Sequence, residues 1–125
     1  VPEAKFQVLD LKDINQLEGV FDGIFMQAVL LHVPKQEAKM RIEEIAKKLK
    51  PKGYFYIAVK EIWPDGAEEE IVKESDYGYP YERFFSYYTI DEIKKYLMDS
   101  GFSRVVHESI SPVDKTNWIQ VIGQK

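Results

Sequence analysis

Phe21–Pro34, "FDGIFMQAVLLHVP", is almost unbroken apolar sequence, with one amide, Gln27, in its middle and a His-Val-Pro close before a charged segment. An apolar run of this length bounded by a turn reads as a strand buried on both faces, and the helix after it as its crossover. Gln27 and His32 then fall near the carboxyl end of the strand. In open α/β sheets that edge is where ligands bind.

The flanking sequence supports this reading. From Lys35 to Lys50 the apolar residues Ala38, Ile42, Ile45, Ala46 and Leu49 recur at helical spacing, with charges on the other face. Pro34 pre-sets the start, and the helix should stop at "KPKG" (Lys50–Gly53), because Pro51 lacks an amide hydrogen and biases Lys50 away from helix. "YFYIAVK" (Tyr54–Lys60) is the next strand, so strand, helix and strand form a βαβ unit with parallel strands. Upstream, "AKFQVLD" (Ala4–Asp10) alternates Phe6 and Val8 with polar neighbours, which predicts a short strand ending at an acid, and Leu11–Val20 is a connection. Downstream, Glu61–Tyr88 reads as a long irregular segment dense in aromatic residues, and such loops are uncommon unless functional. "TIDE" (Thr89–Glu92) is a capping box, followed by Ile90, Ile93 and Leu97 as the buried stripe of a helix ending at Gly101. Phe102–Ile110 and Asn117–Lys125, joined by "SPVDKT", predict an antiparallel pair.

Bulk properties narrow the function. The chain has 125 residues, a net charge of −4 and a pI near 5.2, a single-domain size with no broad nucleic-acid footprint. Lys35, Lys39, Lys47, Lys48 and Lys50 are interleaved with Glu37, Glu43 and Glu44, which makes a solvated helix face the better reading than an RNA-binding one. With no cysteine there is neither a disulfide framework nor a thiolate zinc site, which fits a reducing compartment, cytoplasm by default. No apolar run is long enough to span a membrane and no signal-peptide pattern opens the chain. The first residues are Val1-Pro2, so either the start was processed or a longer chain was cut. The two histidines form no paired metal motif, and there is no G-x-S-x-G elbow.

In order and spacing, "FQVLDLKDI", "FDGIFMQAVLLHVP", "KKLKPKGYFYIAVKE", "YERFFSYYT", "EIKKYLMDSGF" and "NWIQVIGQK" resemble the carboxyl-terminal half of class I S-adenosylmethionine-dependent methyltransferases. The resemblance covers essentially the whole chain. It implies a partial Rossmann-like α/β sheet, mostly parallel strands plus the final antiparallel pair, with residues 1–125 as one domain equivalent to the later half of the family's domain. The glycine-rich strand-to-helix turn and the ribose-gripping acid of the family's first half have no counterpart here, and the sequence contains no G-x-G. The chain alone is therefore expected to bind S-adenosylmethionine weakly or not at all.

By the same resemblance, Asp10 matches the acid that accepts a hydrogen bond from the adenine amine, with the Leu11 amide beside it; the plain alternative is a strand-terminal turn residue. Gln27 and Ala28 fall where the family approaches the methionine and sulfonium portion, although Gln27 could equally be satisfied by backbone within the sheet. His32 is a further cofactor-side candidate, or a hydrogen-bonded structural imidazole, and His107 is given no role. Lys60, Tyr81, Arg83 and Phe84 are the acceptor-side candidates. Arg83 suits an anionic acceptor or an ion pair with Glu68–Glu70, and Tyr77, Tyr79, Tyr81, Phe84 and Phe85 either wall a pocket or cap the core. A small-molecule acceptor is the expected substrate. The expected partners are a missing amino-terminal half or another copy paired through an exposed strand edge, and the alternative function is a non-catalytic piece that acts only by association.

Overall fold

A computed structural model describes residues 3–125; Val1 and Pro2, on which the reading of the chain's beginning rests, lie outside them. The apolar run from Phe21 forms strand β1 (Phe21–Gln27), followed by a short 3-10 turn (Leu30–His32) and helix α1 (Lys35–Lys47). Strand β2 (Leu49–Lys60) lies parallel to β1, completing the βαβ unit. A hairpin of β3 (Glu69–Glu74) and β4 (Tyr81–Ser86), helix α2 (Ile90–Asp99) and the antiparallel strands β5 (Arg104–Val113) and β6 (Thr116–Gln124) complete the fold. The main sheet has the order β1-β2-β6-β5, a mixed α/β sheet whose parallel portion is the β1/β2 pair.

Register explains where the core sits. Side chains alternate along a strand, so the β2 residues Phe55, Ile57 and Val59 share one face with Met26 of β1 and with Ile119 and Val121 of β6. Helices α1 and α2 cover this face through Ala38, Ile42, Ile45, Ile93 and Leu97, all buried in the same cluster. The opposite face carries Phe25, Tyr54, Tyr56 and Ile122, which line an open hollow of about 380 Å³ with Val106. Phe25 and Tyr56 stack there with ring centroids 4.4 Å apart.

The caps form as their sequences require. The Thr89 side chain accepts from the Glu92 amide and Glu92 accepts from the Thr89 amide, the reciprocal capping box, while Gly101 at φ +95° lets the Phe102 amide close back on the Leu97 carbonyl at 3.1 Å. At Gly53 a Cβ would stand 2.9 Å from the carbonyl oxygens of Asp22 and Lys50, so only glycine fits where β2 jogs against β1.

Three elements differ from expectation. Residues 4–10 form no strand: Phe6 is 88% and Val8 103% exposed, and across from them an open cleft of about 430 Å³ separates Gln7 and Leu9 from Ile24 and Phe25 of β1. Alternation without a hydrogen-bonding neighbour makes no sheet. Strand β2 begins at Leu49 rather than Tyr54, because α1 ends at Lys47 and the chain runs straight on; the irregular "KPKG" is absorbed as a register shift between the Phe21–Leu49 and Gly23–Tyr54 pairs. The segment read as an irregular loop contains the β3/β4 hairpin, whose half-buried Val72 packs against the cluster of Leu31, Phe85 and Tyr87. That cluster divides the aromatic segment: Phe85, Tyr87 and Tyr88 are core, whereas Tyr77 and Tyr79 remain exposed near the hairpin tip.

Candidate functional site

Asp10 sits at the start of a 3-10 turn (Leu11–Gln16), which its carboxylate caps by accepting the Lys12 amide at 3.0 Å through Oδ1. The turn-residue alternative is thus realised, and it leaves Oδ2 as an exposed acceptor. Leu11, as the first residue of the turn, has an amide with no acceptor inside it. Both residues line a hollow of about 160 Å³ with His32, Val33, Pro34 and Arg41. Asn15 fastens the turn to α1 by donating to Glu44 Oε2 at 2.7 Å, and Arg41 donates to the other Glu44 oxygen at 2.7 Å and to Glu37 at 3.1 Å. One wall of the hollow is therefore a fixed ion-pair network.

Gln27 ends β1, opposite Ala58, with its side chain exposed and making no hydrogen bond among the described residues. The alternative of an amide satisfied within the sheet is not realised. Ala28 follows at φ +57°, a left-handed conformation that an alanine adopts only when its surroundings impose it, here with its amide donating to the Ala58 carbonyl at 3.1 Å.

His32 links two regions. Its Nδ1 lies 2.8 Å from the Phe84 carbonyl, which can only accept, so Nδ1–H is the donor, and the ring packs 4.8 Å from that of Phe85. The structural alternative for His32 is realised while its ring still lines the hollow beside Asp10.

On the hairpin, Arg83 pairs with Glu74 at 2.9 Å, and not with Glu68–Glu70, since the β3/β4 register brings Glu74 opposite Tyr81. Tyr81 donates to the second Glu74 oxygen at 2.9 Å. The Arg83 hydrogen bond, and then that of Tyr81, hold the Glu74 carboxyl below its ordinary range, while desolvation and then Glu74 push the Tyr81 hydroxyl up to about 12. Phe84 is half-buried, and its carbonyl receives the His32 bond. Lys60 ends β2 with its ammonium 4.3 Å from the centre of the Phe85 ring and 5.7 Å from that of Trp118.

The structure therefore brings Asp10, Leu11 and His32 to one hollow, Tyr81 and Arg83 to one carboxylate, and Gln27 and Lys60 to one face of the sheet, with His32 bridging to the hairpin. Sequence reasoning missed Arg41, whose signal was Glu37, Arg41 and Glu44 at helical spacing, and missed Glu74 and Trp118, whose roles depend on strand register.

A family profile described as a methyltransferase domain matches residues 1–108. The chain belongs to the methyltransferase domain family. Among solved structures, this methyltransferase domain chain is similar to a SAM-dependent methyltransferase from Methanosarcina mazei, with 20% identity and a TM-score of 0.77 over 98% of this chain and 68% of that one. It is similar to a 1,6-didemethyltoxoflavin-N1-methyltransferase from Burkholderia thailandensis with bound 1,6-didemethyltoxoflavin and S-adenosylhomocysteine, at 22% identity and a TM-score of 0.67 over 90% of this chain and 48% of that one. A magnesium protoporphyrin IX methyltransferase from Synechocystis with bound SAM matches at 19% identity and a TM-score of 0.60, over 90% of this chain and 42% of that one. At these identities the likeness shows the fold, and this chain spans about half the length of the latter two structures. No curated protein matches it by sequence.

Among the described residues no group of histidine and carboxylate side chains could hold a metal ion, and no helix is long and apolar enough to cross a membrane. The donor set at Asp10 and Leu11 fits adenine: a free carboxylate oxygen for the exocyclic amine and a backbone N–H for a ring nitrogen.

Proposed function

We propose that this chain is the later part of a methyltransferase domain that transfers a methyl group from S-adenosylmethionine to a small-molecule acceptor, acting within a longer or associated chain. The observation that carries the reading is the hollow formed by Asp10, Leu11 and His32, with a carboxylate oxygen and a backbone amide both available for adenine. Asp10 Oδ2 accepts from the adenine amine and the Leu11 amide donates beside it. Gln27 and Ala28 approach the methionine and sulfonium portion, and Lys60, Tyr81, Arg83 and Phe84 contact the acceptor. When bound, S-adenosylmethionine supplies a methyl group already activated on sulfur, so the protein's work is alignment and water exclusion. His32 serves that alignment by holding the hairpin at the Phe84 carbonyl.

The test is a titration of the isolated chain with S-adenosylhomocysteine, followed by calorimetry and by amide chemical shifts. Calorimetry should register no micromolar binding. At millimolar ligand the amides of Leu11, Lys12, Ala28 and His32 should shift, and Asp10→Ala should abolish the shifts at Leu11 and Lys12. Shifts confined to other regions, or none at all, would refute the assignment. Micromolar binding would show that the glycine-rich turn is dispensable.

A second reading, association without catalysis, is favoured by the edge of β1. That strand pairs only with β2 among the described residues, and Phe25 beside the free edge is 69% exposed. Residues 4–10 do not move in to cover it. An open apolar edge is a template for another strand, whether from an amino-terminal half or from another copy. Light scattering over a range of concentrations, with hydrogen exchange of the β1 amides directed away from β2, separates the outcomes. A concentration-independent monomer whose edge amides exchange freely would sink this reading.

A further inference from the structure

Lys60 lies at the carboxyl edge of the sheet, on the face that no helix covers. Trp118 is its cross-strand partner and Gln27 reaches the same face through its pairing with Ala58. The lysine is half-buried, yet among the described residues its ammonium has no salt bridge and no hydrogen bond, and it rests against the ring faces of Phe85 and Trp118. The nearby acids are committed elsewhere. Glu74 takes Arg83 and Tyr81, Glu70 takes the Tyr87 hydroxyl, and Glu61 takes the Asn117 amide. Aromatic faces attract a cation but do not neutralise it, and a partly desolvated ammonium without a directly paired counter-charge is unfavourable. Burial and then the neighbouring Arg83 hold its pKa below the ordinary lysine range, against the weaker opposite pull of Glu74 and Glu70.

We propose that Lys60 anchors a carboxylate carried by the methyl acceptor, whose flat apolar body lies along Trp118. This rests on the methyltransferase reading above and names the class of acceptor: an aromatic or otherwise planar carboxylic acid. One uncommitted cation balances one negative charge, and the fork of Arg83, which would be needed to complete a phosphate site, is already engaged by Glu74. The ring of Phe85, itself buried, serves as the base on which the ammonium rests. His32 packs against the same ring, so the carboxylate site is built onto the element that reaches the Asp10 hollow.

The experiment uses the 125-residue chain with benzoate, benzamide and inorganic phosphate as probes. The readouts are the lysine side-chain CH2 resonances and the indole NH signals, with Trp63 as the internal control. Benzoate should shift Lys60 and Trp118 saturably, and benzamide should bind at least about tenfold more weakly, as expected on losing a charged hydrogen bond. Lys60→Met should lose benzoate binding by a similar factor, while Lys60→Arg retains it. Equal binding of benzoate and benzamide, retention in Lys60→Met, or no saturable response would overturn the proposal, and tighter binding of phosphate than benzoate would overturn the carboxylate class. Should Lys60→Met fail to fold, the comparison of probes on the wild-type chain decides alone. Because the assay needs neither cofactor nor turnover, its result is independent of whether the adenine hollow binds S-adenosylhomocysteine.

Discussion

Replacing Ser86 by alanine tests how the hairpin is fastened to the turn at Leu30–Val33. Ser86 is fully buried, with its Oγ 2.9 Å from the Val33 carbonyl, 3.3 Å from that of Leu30 and 3.1 Å from the Tyr88 hydroxyl. A hydroxyl has one proton, so Ser86 donates to a carbonyl, Val33 being the nearer, and the Tyr88 hydroxyl donates to Ser86. Ser86→Ala leaves a carbonyl and a buried phenol without partners, and each orphaned group costs about 1–3 kcal/mol. Some of the carbonyl's cost is recovered because Val33 is only partly buried, so a net loss of about 2 kcal/mol is expected. With a urea dependence of about 2 kcal/mol per molar, the midpoint should fall by about 1 M at unchanged slope. Tyr88→Phe in the Ser86→Ala background removes the orphaned phenol, so the double variant should be more stable than the sum of the single losses by about 1 kcal/mol. Additive losses, or a neutral Ser86→Ala, would refute the assignment of these bonds.

The pH dependence has a defined sign. Burial raises the hydroxyl pKa of both Tyr87 and Tyr88, so their contribution is complete below the unfolded value, about 10, and is lost as pH climbs from there toward the folded values. Urea midpoints should therefore drop above about pH 10, and Tyr88→Phe should flatten that drop; an unchanged slope in the variant would contradict the buried phenol. Ala28→Gly should be neutral or stabilising by up to about 1 kcal/mol, because relief of the left-handed strain outweighs the added unfolded-state freedom, whereas Ala28→Val should destabilise; thermal unfolding of both checks it. In hydrogen exchange the β3/β4 amides should open before those of Tyr54–Val59, since the hairpin forms a separate two-stranded sheet with much of its surface exposed. Equal protection would make the hairpin an integral part of the core.

What was legible in the sequence was what neighbouring residues decide. The capping box at Thr89 and the stop at Gly101 are set within a few residues, and both form as read. The βαβ unit was legible because the apolar run, the helical spacing and "YFYIAVK" each carry a periodicity of their own. The Ala4–Asp10 strand failed for the opposite reason: alternation states which face a strand would bury, and only a neighbouring strand can supply the hydrogen bonds that make it one. The β3 strand was hidden because "EEIVKE" puts a charge on both faces. Its one half-buried apolar residue, Val72, is recognised only once Phe85 and Tyr87 are beside it.

The site divides along the same line. For Asp10 a turn residue and a ligand acceptor stood as alternatives, and the two are compatible, because capping the Lys12 amide occupies one carboxylate oxygen and leaves the other. For Arg83 the alternatives were an anionic acceptor and an ion pair with Glu68–Glu70, yet it meets Glu74, because the hairpin register sets Glu74 opposite Tyr81, two residues from Arg83 on the same face. The His32–Phe84 bond spans 52 residues, and no local pattern announces it. It makes the strand that carries Arg83 and Phe85 a direct neighbour of the turn that carries His32. The ring of Phe85 meets both the Lys60 ammonium and His32, which lines the Asp10 hollow, so one buried side chain of the hairpin touches both candidate sites.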